Sequence, residues 1–386
     1  MCSPISFGAG AAVVASIDVS GAGTQVDVTT NLTDAKLWIQ NAGTLSVGAG
    51  DLMRFTGSGD AFAGFLAGAG TVEFQSGSDS LNGTTLTAAN VIIGAATVTL
   101  AGTIDNADNV ASSSANLIVA AGGASLTGAG TLTLGNSAAN RIYGATSTAT
   151  LTNVDNRIVG AGLLGAGDMT LINGAAGLIN GNDSNALIID TGANTFVNDG
   201  FIEATGAGGV TVKSAVAGTG SARVTAGTLF FASSFSQNVA FGAAGALELA
   251  DSKIYTGSIS GFSSSGHTSL DLLDIGFVGS TEATFSGTNS GGVLTVSDGT
   301  DTAHITLVGD YLNSTFVASS DGHGGTIVID SKVKAPSASW TEPAPPHQFI
   351  AAMAALGSGS APAVTHEAEP WRGAATSLIV PRAALG

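Results

Sequence analysis

The chain has 386 residues, 56 of them Gly, with 11 Lys and Arg against 28 Asp and Glu and a formal net charge of −17. At 44% apolar residues it is too hydrophobic for a charge-extended disordered chain, yet no run reaches the 18 or so consecutive apolar residues of a membrane helix. The acidic balance excludes nucleic acid and anionic lipid as main partners, since both require a basic footprint.

The N-terminal Met1-Cys-Ser-Pro-Ile-Ser-Phe7 lacks the basic segment and apolar core of a secretory signal. Three origins fit: a piece of a longer polypeptide, export by a route that does not read the N-terminus, or an internal location. Cys2 is the single cysteine, so no intrachain disulfide or cysteine metal site forms.

All eight prolines lie at Pro4 or from Pro336 onward. A Pro-free body suits inner strands, because Pro cannot donate to a ladder. Along it, short β-forming runs alternate with Gly, Asn and Asp: Thr71-Val-Glu-Phe74, Asn90-Val-Ile-Ile93, Asn116-Leu-Ile-Val119, Thr131-Leu-Thr-Leu134, Met169-Thr-Leu-Ile172 and Val210-Thr-Val-Lys213 are examples. Runs of three to five residues are strands, and no segment of the body sustains a helical period.

A turn signature recurs as Asn-x-Gly-x-Leu/Ile or a close variant, at Asn41, Asn173 and Asn198. Asn153, Asn173 and Asn198 each follow an apolar or β-branched run, and their spacings of about 20 and 25 residues match one turn of a β-solenoid. Asn and Gly tolerate corner conformations, and stacked Asn side chains hydrogen-bond along the ladder. The predicted fold is all-β: a single-stranded right-handed parallel β-helix (β-solenoid) over 1–250, an acidic C-terminal β module or cap over 251–331, and a Pro/Ala-rich flexible tail over 332–386 with a short helix at 347–356.

Three stretches resemble the large repetitive exported and surface proteins of alphaproteobacteria, relatives in architecture of filamentous haemagglutinin and autotransporter passengers. These are the rung series from Leu151-Thr-Asn-Val-Asp-Asn-Arg157 through Asn185-Ala-Leu-Ile-Ile-Asp190, the segment Tyr255-Thr-Gly-Ser-Ile259 with Leu270-Asp-Leu-Leu-Asp-Ile275, and the terminal module from Leu294 to Asp330. Where that group often has Gly-Asp before its Asp-Leu strand, this chain has Gly266-His267. The resemblance implies a secreted or cell-surface protein, often an adhesin or biofilm component, with no catalytic residues assigned. The expected function is therefore a non-catalytic structural or adhesive element that contacts glycans or surfaces, as a monomer or as part of a longer exported polypeptide, without an integral membrane segment. The tail is too short for an autotransporter's membrane barrel.

Two other readings stay open. Acids outnumber Lys253 nine to one over 251–330, and the loops Ser297-Asp-Gly-Thr-Asp301 and Ser320-Asp-Gly-His-Gly-Gly325 offer Asp298, Asp301 and Asp321 as calcium ligands. Neither loop matches the nonapeptide of calcium β-rolls, and Asp-Gly is also a common hairpin turn. No other cofactor is expected. The second reading is a polysaccharide-active lyase or hydrolase, for which Arg141, Asp155, Arg157, Asp168, Asp183 and Asp190 are the candidates. His304 and His323 have no partner fixed by spacing.

Overall fold

The computed structural model describes residues 5–331. The tail predicted over 332–386, with its helix at 347–356, lies outside the described residues. Within them the chain is a parallel β-solenoid of about 13 turns. Among the described residues the one helical segment is the 3-10 turn Ser252–Ile254, and no helix of those residues is long and apolar enough to cross a membrane.

Each rung carries up to three strands, one on each of three faces. The first face runs from Ile5–Phe7 and Gln25–Val28 to Val216–Ala217. The second begins at Leu32–Asp34 and reaches Ser258–Ser260 and Thr302–Val308. The third begins at Ile17–Val19 and ends at Ser265–Leu272. Side chains alternate inward and outward along each strand, so one residue in two enters the core.

In-register stacking turns that alternation into continuous apolar columns. On the second face, Leu32, Met53, Val72, Val91, Val110 and Leu132 follow one another rung by rung. The column continues through Ile158, Ile179, Ile202, Ala222 and Val239 to Ile259 and Leu307. All are at most 5% exposed. Burying a Val, Leu or Ile side chain contributes about 1.5–3 kcal/mol, and the column repeats that contribution at every rung. Near the N-terminal end the interior is aromatic, with Trp38, Phe55, Phe62 and Phe74 in mutual contact at centroid distances of 5.0–5.6 Å. Where aliphatic residues take over, a small cavity of about 20 Å³ remains among Leu81, Leu100, Leu117 and Leu126.

The asparagine spacing has the predicted physical basis. Asn153 Nδ2 donates to Asn173 Oδ1 at 2.8 Å, Asn173 Nδ2 to Asn198 Oδ1 at 2.8 Å, and Asn198 Nδ2 to Gln237 Oε1 at 2.7 Å. All four side chains are buried. Gln237 stands where the first face has already ended. Tyr255 Oη donates to the Gln237 carbonyl at 2.9 Å and closes the column.

Rungs stack so closely that some corners exclude a side chain. Gly160 ends the strand Arg157–Gly160 at φ +119°, and a Cβ there would lie 1.6 Å from the Leu134 carbonyl oxygen on the rung before. Glycine is the residue that allows that approach.

Two sequence expectations change. Several strands exceed five residues: Phe65–Phe74, Thr85–Ile93, Thr97–Asn106 and Asn116–Thr127 run from one face to the next without a break. Their corners are built of Ala and Gly, such as Ala69-Gly70 and Gly122-Gly123, and Gly68, Gly102 and Gly123 turn these bends at positive φ. The solenoid also does not stop at 250. Parallel pairing continues through Ser258–Ser260 and Ser265–Leu272, because apolar alternation persists in Leu270 and Leu272 beneath the acidic composition.

The cap is antiparallel. Ala283–Thr288 pairs with Gly291–Ser297, which pairs with Thr302–Val308. Phe316–Ser320 pairs with Thr326–Ser331, and that last strand lies antiparallel on Ser265–Leu272.

Candidate functional site

Of the predicted calcium ligands, Asp298 and Asp321 are held by backbone N–H groups of their own turns and Asp301 by Lys253. Asp298-Gly299 joins Gly291–Ser297 to Thr302–Val308. Asp298 Oδ1 accepts the N–H groups of Asp301 and Thr300, both at 2.7 Å, and Oδ2 accepts that of Gly276 at 3.1 Å. The Asp301 N–H, followed by that of Thr300, holds the carboxyl below its usual range. Asp301 pairs with Lys253 Nζ at 3.1 Å. Asp321 occupies the other hairpin, where its Oδ1 accepts the His323 and Gly325 N–H groups at 2.6 and 2.8 Å. The two turns flank one residue: a Cβ on Gly276 would lie 3.2 Å from Asp298 Oδ2 and 3.9 Å from the Gly324 carbonyl. Even so, among the described residues no three His, Cys, Asp or Glu gather into a group that could hold a metal.

The residues considered for polysaccharide chemistry are spread over rungs, and four of the six are engaged locally. Asp155 accepts the Ala129 N–H, Asp168 that of Gly144, and Asp190 that of Gly192 while pairing with Lys213 at 3.3 Å. Arg141 stacks over its neighbour Tyr143, 4.9 Å from the ring centroid. His304 Nδ1 meets Thr295 Oγ1 at 3.3 Å across a hairpin.

The acids that do come together are others. Glu248 and Asp271 are adjacent partners on the outward side of the third face, at the edge of the cap. Burial pushes the Asp271 carboxyl up to about 7, with the charges of Glu248 and Asp321 adding to the shift and His323 opposing it. Burial also raises Glu248, and Asp321 raises it further. Asp271 Oδ1 is buried without a hydrogen-bond partner. The signal for this pair lay in the runs Leu247-Glu-Leu249 and Leu270-Asp-Leu272, whose matched alternation puts both acids at the same position of successive rungs.

The outward rows of the first two faces carry polar side chains in register. On the first face Thr103 pairs with Ser125, and Ser125 with Thr152. These hydroxyls line an open depression of about 250 Å³ floored by Gly102, Gly122 and Gly123. On the second face a wider depression of about 550 Å³ is lined by Asn31, Asp51, Arg54, Thr71, Glu73 and Asn90, and Arg54 Nε donates to Glu73 Oε2 at 2.7 Å. Hydroxyl and amide groups at rung spacing both donate and accept hydrogen bonds. Compared with known proteins, the chain matches no family, no curated protein and no solved structure.

Proposed function

We propose that the protein is a non-catalytic structural and adhesive element of an exported bacterial surface protein, in which the solenoid serves as a stiff spacer and its side faces hold glycans. One observation carries this reading: the in-register row Thr103, Ser125 and Thr152 over a glycine floor, open on its outer side. Rungs about 4.8 Å apart present these hydroxyls as a repeated hydrogen-bonding edge, close to the spacing of a sugar ring along a polysaccharide. Such contacts are individually weak and gain strength through multiplicity.

The test is retention of the full chain on immobilised neutral and acidic polysaccharides, beside the triple variant T103A/S125A/T152A. Retention that falls about tenfold in the triple variant, with an unchanged melting temperature, supports the reading. No retention of the parent, or equal retention of both, overturns it. For the surface location, antibody labelling of intact cells of the producing bacterium is the measurement, and signal confined to lysed cells counts against it.

The Glu248 and Asp271 pair supports a second reading, polysaccharide cleavage. A carboxyl that stays protonated near neutral pH beside a second carboxylate is the combination that general acid–base cleavage uses. New reducing ends released from acidic polysaccharides, and lost in D271N, would favour it over adhesion. A parent chain that releases none would remove it.

A further inference from the structure

Seven buried side-chain polar atoms among the described residues have no hydrogen-bond partner, and five lie on three consecutive N-terminal rungs: Asp34 Oδ2, Trp38 Nε1, Gln40 Oε1, Asp60 Oδ2 and Asp79 Oδ2. The three aspartates lie one to a rung about the corner between the second and third faces: Asp34 has Phe55 as its register partner on the next rung, while Asp60 and Asp79 stack on each other on the third face. Asp34 ends the strand Leu32–Asp34, Asp60 precedes Ala61–Phe62, and Asp79 lies in Ser78–Asn82, whose Ser80 pairs with Ala61 and so sets Asp79 beside Asp60. Their exposures are 0%, 0% and 4%. Each gives one oxygen to a backbone N–H: Asp34 Oδ1 to Lys36 at 2.7 Å, Asp60 Oδ1 to Trp38 at 2.8 Å, Asp79 Oδ1 to Asp60 at 3.2 Å. The second oxygen of each is bare.

The surroundings offer almost no positive charge. Lys36, itself exposed, acts on Asp34. Asp60 faces Asp34, and Asp79 faces Asp60. On the neighbouring strands Asp18 is exposed, and Arg54 and Glu73 are outward and bonded to each other. The remaining neighbours are the aromatic rings of Trp38, Phe55 and Phe62. Three carboxylates cannot all stay charged in such a place. Burial raises all three above the usual carboxylate range, and Asp79, which also feels Asp60, is pushed up to about 7. A metal does not resolve the problem, because the acids are strung out one per rung and form no metal-holding group.

The asparagine column shows what does resolve it. There each Nδ2 donates to the oxygen of the next rung. A protonated Asp has nearly the same shape, with O–H in place of N–H. We propose that Asp34, Asp60 and Asp79 form a proton-held lock on the N-terminal rungs: protonated carboxyls donate to the bare oxygens beside them and hold the rungs closed, and loss of those protons loosens them. Protonation favours the folded rungs, so the lock is fully engaged at acidic pH and is lost as pH rises toward and through 7. This inference does not depend on what the side faces bind.

Hydrogen exchange of the full chain at pH 5.5 and 8.5, corrected for intrinsic rates, tests it. Peptides containing Trp38, Phe62 and Leu81 should lose about tenfold or more in protection at pH 8.5, the response to roughly one unit of differential proton affinity. Peptides across Thr170–Asn173, in the asparagine column, should not change. The double variant D60N/D79N supplies permanent donors and should keep high protection at both pH values. A wild-type chain without the pH effect, or a double variant with an undiminished effect, overturns the proposal. Recovery of wild-type protection at pH 8.5 by 5 mM calcium chloride also overturns it, since a cation and not a proton would then hold the rungs. Carboxyl NMR titration of the wild type is independent of any variant, and three ordinary midpoints near 4 would refute the lock.

Discussion

Replacing Asn173 by Ala tests whether the asparagine column stabilises the solenoid or merely accompanies it. Asn173 is wholly buried. Its Nδ2 donates to Asn198 Oδ1 at 2.8 Å, to the Gly177 carbonyl at 3.2 Å and to the Phe201 carbonyl at 3.3 Å, while its Oδ1 accepts from Asn153. Truncation strips Asn198 Oδ1 of that donor, and an orphaned buried acceptor costs about 1–3 kcal/mol. Asn153 Nδ2 keeps the Asn156 carbonyl at 2.8 Å, so the loss is concentrated on the C-terminal side. With the small cavity left behind, the total is about 2–4 kcal/mol. Urea unfolding followed by far-UV circular dichroism measures it, with N182A as the exposed control, expected within about 0.5 kcal/mol of wild type. N173D keeps the shape but replaces the donor with a carboxylate facing Asn198 Oδ1, so at pH 7 it should cost at least as much. An N173A variant less than about 0.5 kcal/mol from wild type would refute the reasoning.

Three further outcomes are expected. G160A places a methyl group against the Leu134 carbonyl and should lose several kcal/mol or fail to fold; a soluble variant melting with the parent contradicts the close approach. The Asp271 carboxyl is raised to about 7, so its contribution is largest below the unfolded value near 4 and lost as pH climbs to 7. D271N should therefore melt above wild type at pH 8 and converge with it toward pH 4; an equal offset at every pH would exclude the linkage. Finally, EDTA should leave the melting curve in place, because backbone N–H groups already hold Asp298 and Asp321. A drop of several degrees would restore calcium to the cap.

Much of the fold was legible because its rules are local. Alternation in runs such as Thr131–Leu134 fixes which side chains enter the core, and a single residue type repeated at Asn153, Asn173 and Asn198 marks successive rungs. The Asp-Gly pairs at Asp298 and Asp321 form the hairpin turns that their composition allows. The acid groupings were hidden because repeat length is not constant. Arg54 and Glu73 are partners 19 residues apart, whereas Asn173 and Asn198 are partners 25 apart. Without a fixed period, an acid at position 60 or 248 has no predictable neighbour until the register of every intervening corner is known. The end of the solenoid is hard to place from sequence for a related reason: most of the charge after Asp251 falls on outward and turn positions, while inward residues such as Leu270 and Leu272 keep the earlier pattern.

The antiparallel cap gives the molecule a direction. A parallel rung offers its successor the edge on which it was itself laid down, so a bare end invites another segment to add on. Here Thr326–Ser331 runs against Ser265–Leu272 and is itself covered on its other edge by Phe316–Ser320, so the edge of the last parallel rung is already paired and is not open to a further parallel rung. Reach can therefore vary by gain or loss of whole rungs ahead of Ser265, about 4.8 Å at a time, while the finished end stays the same.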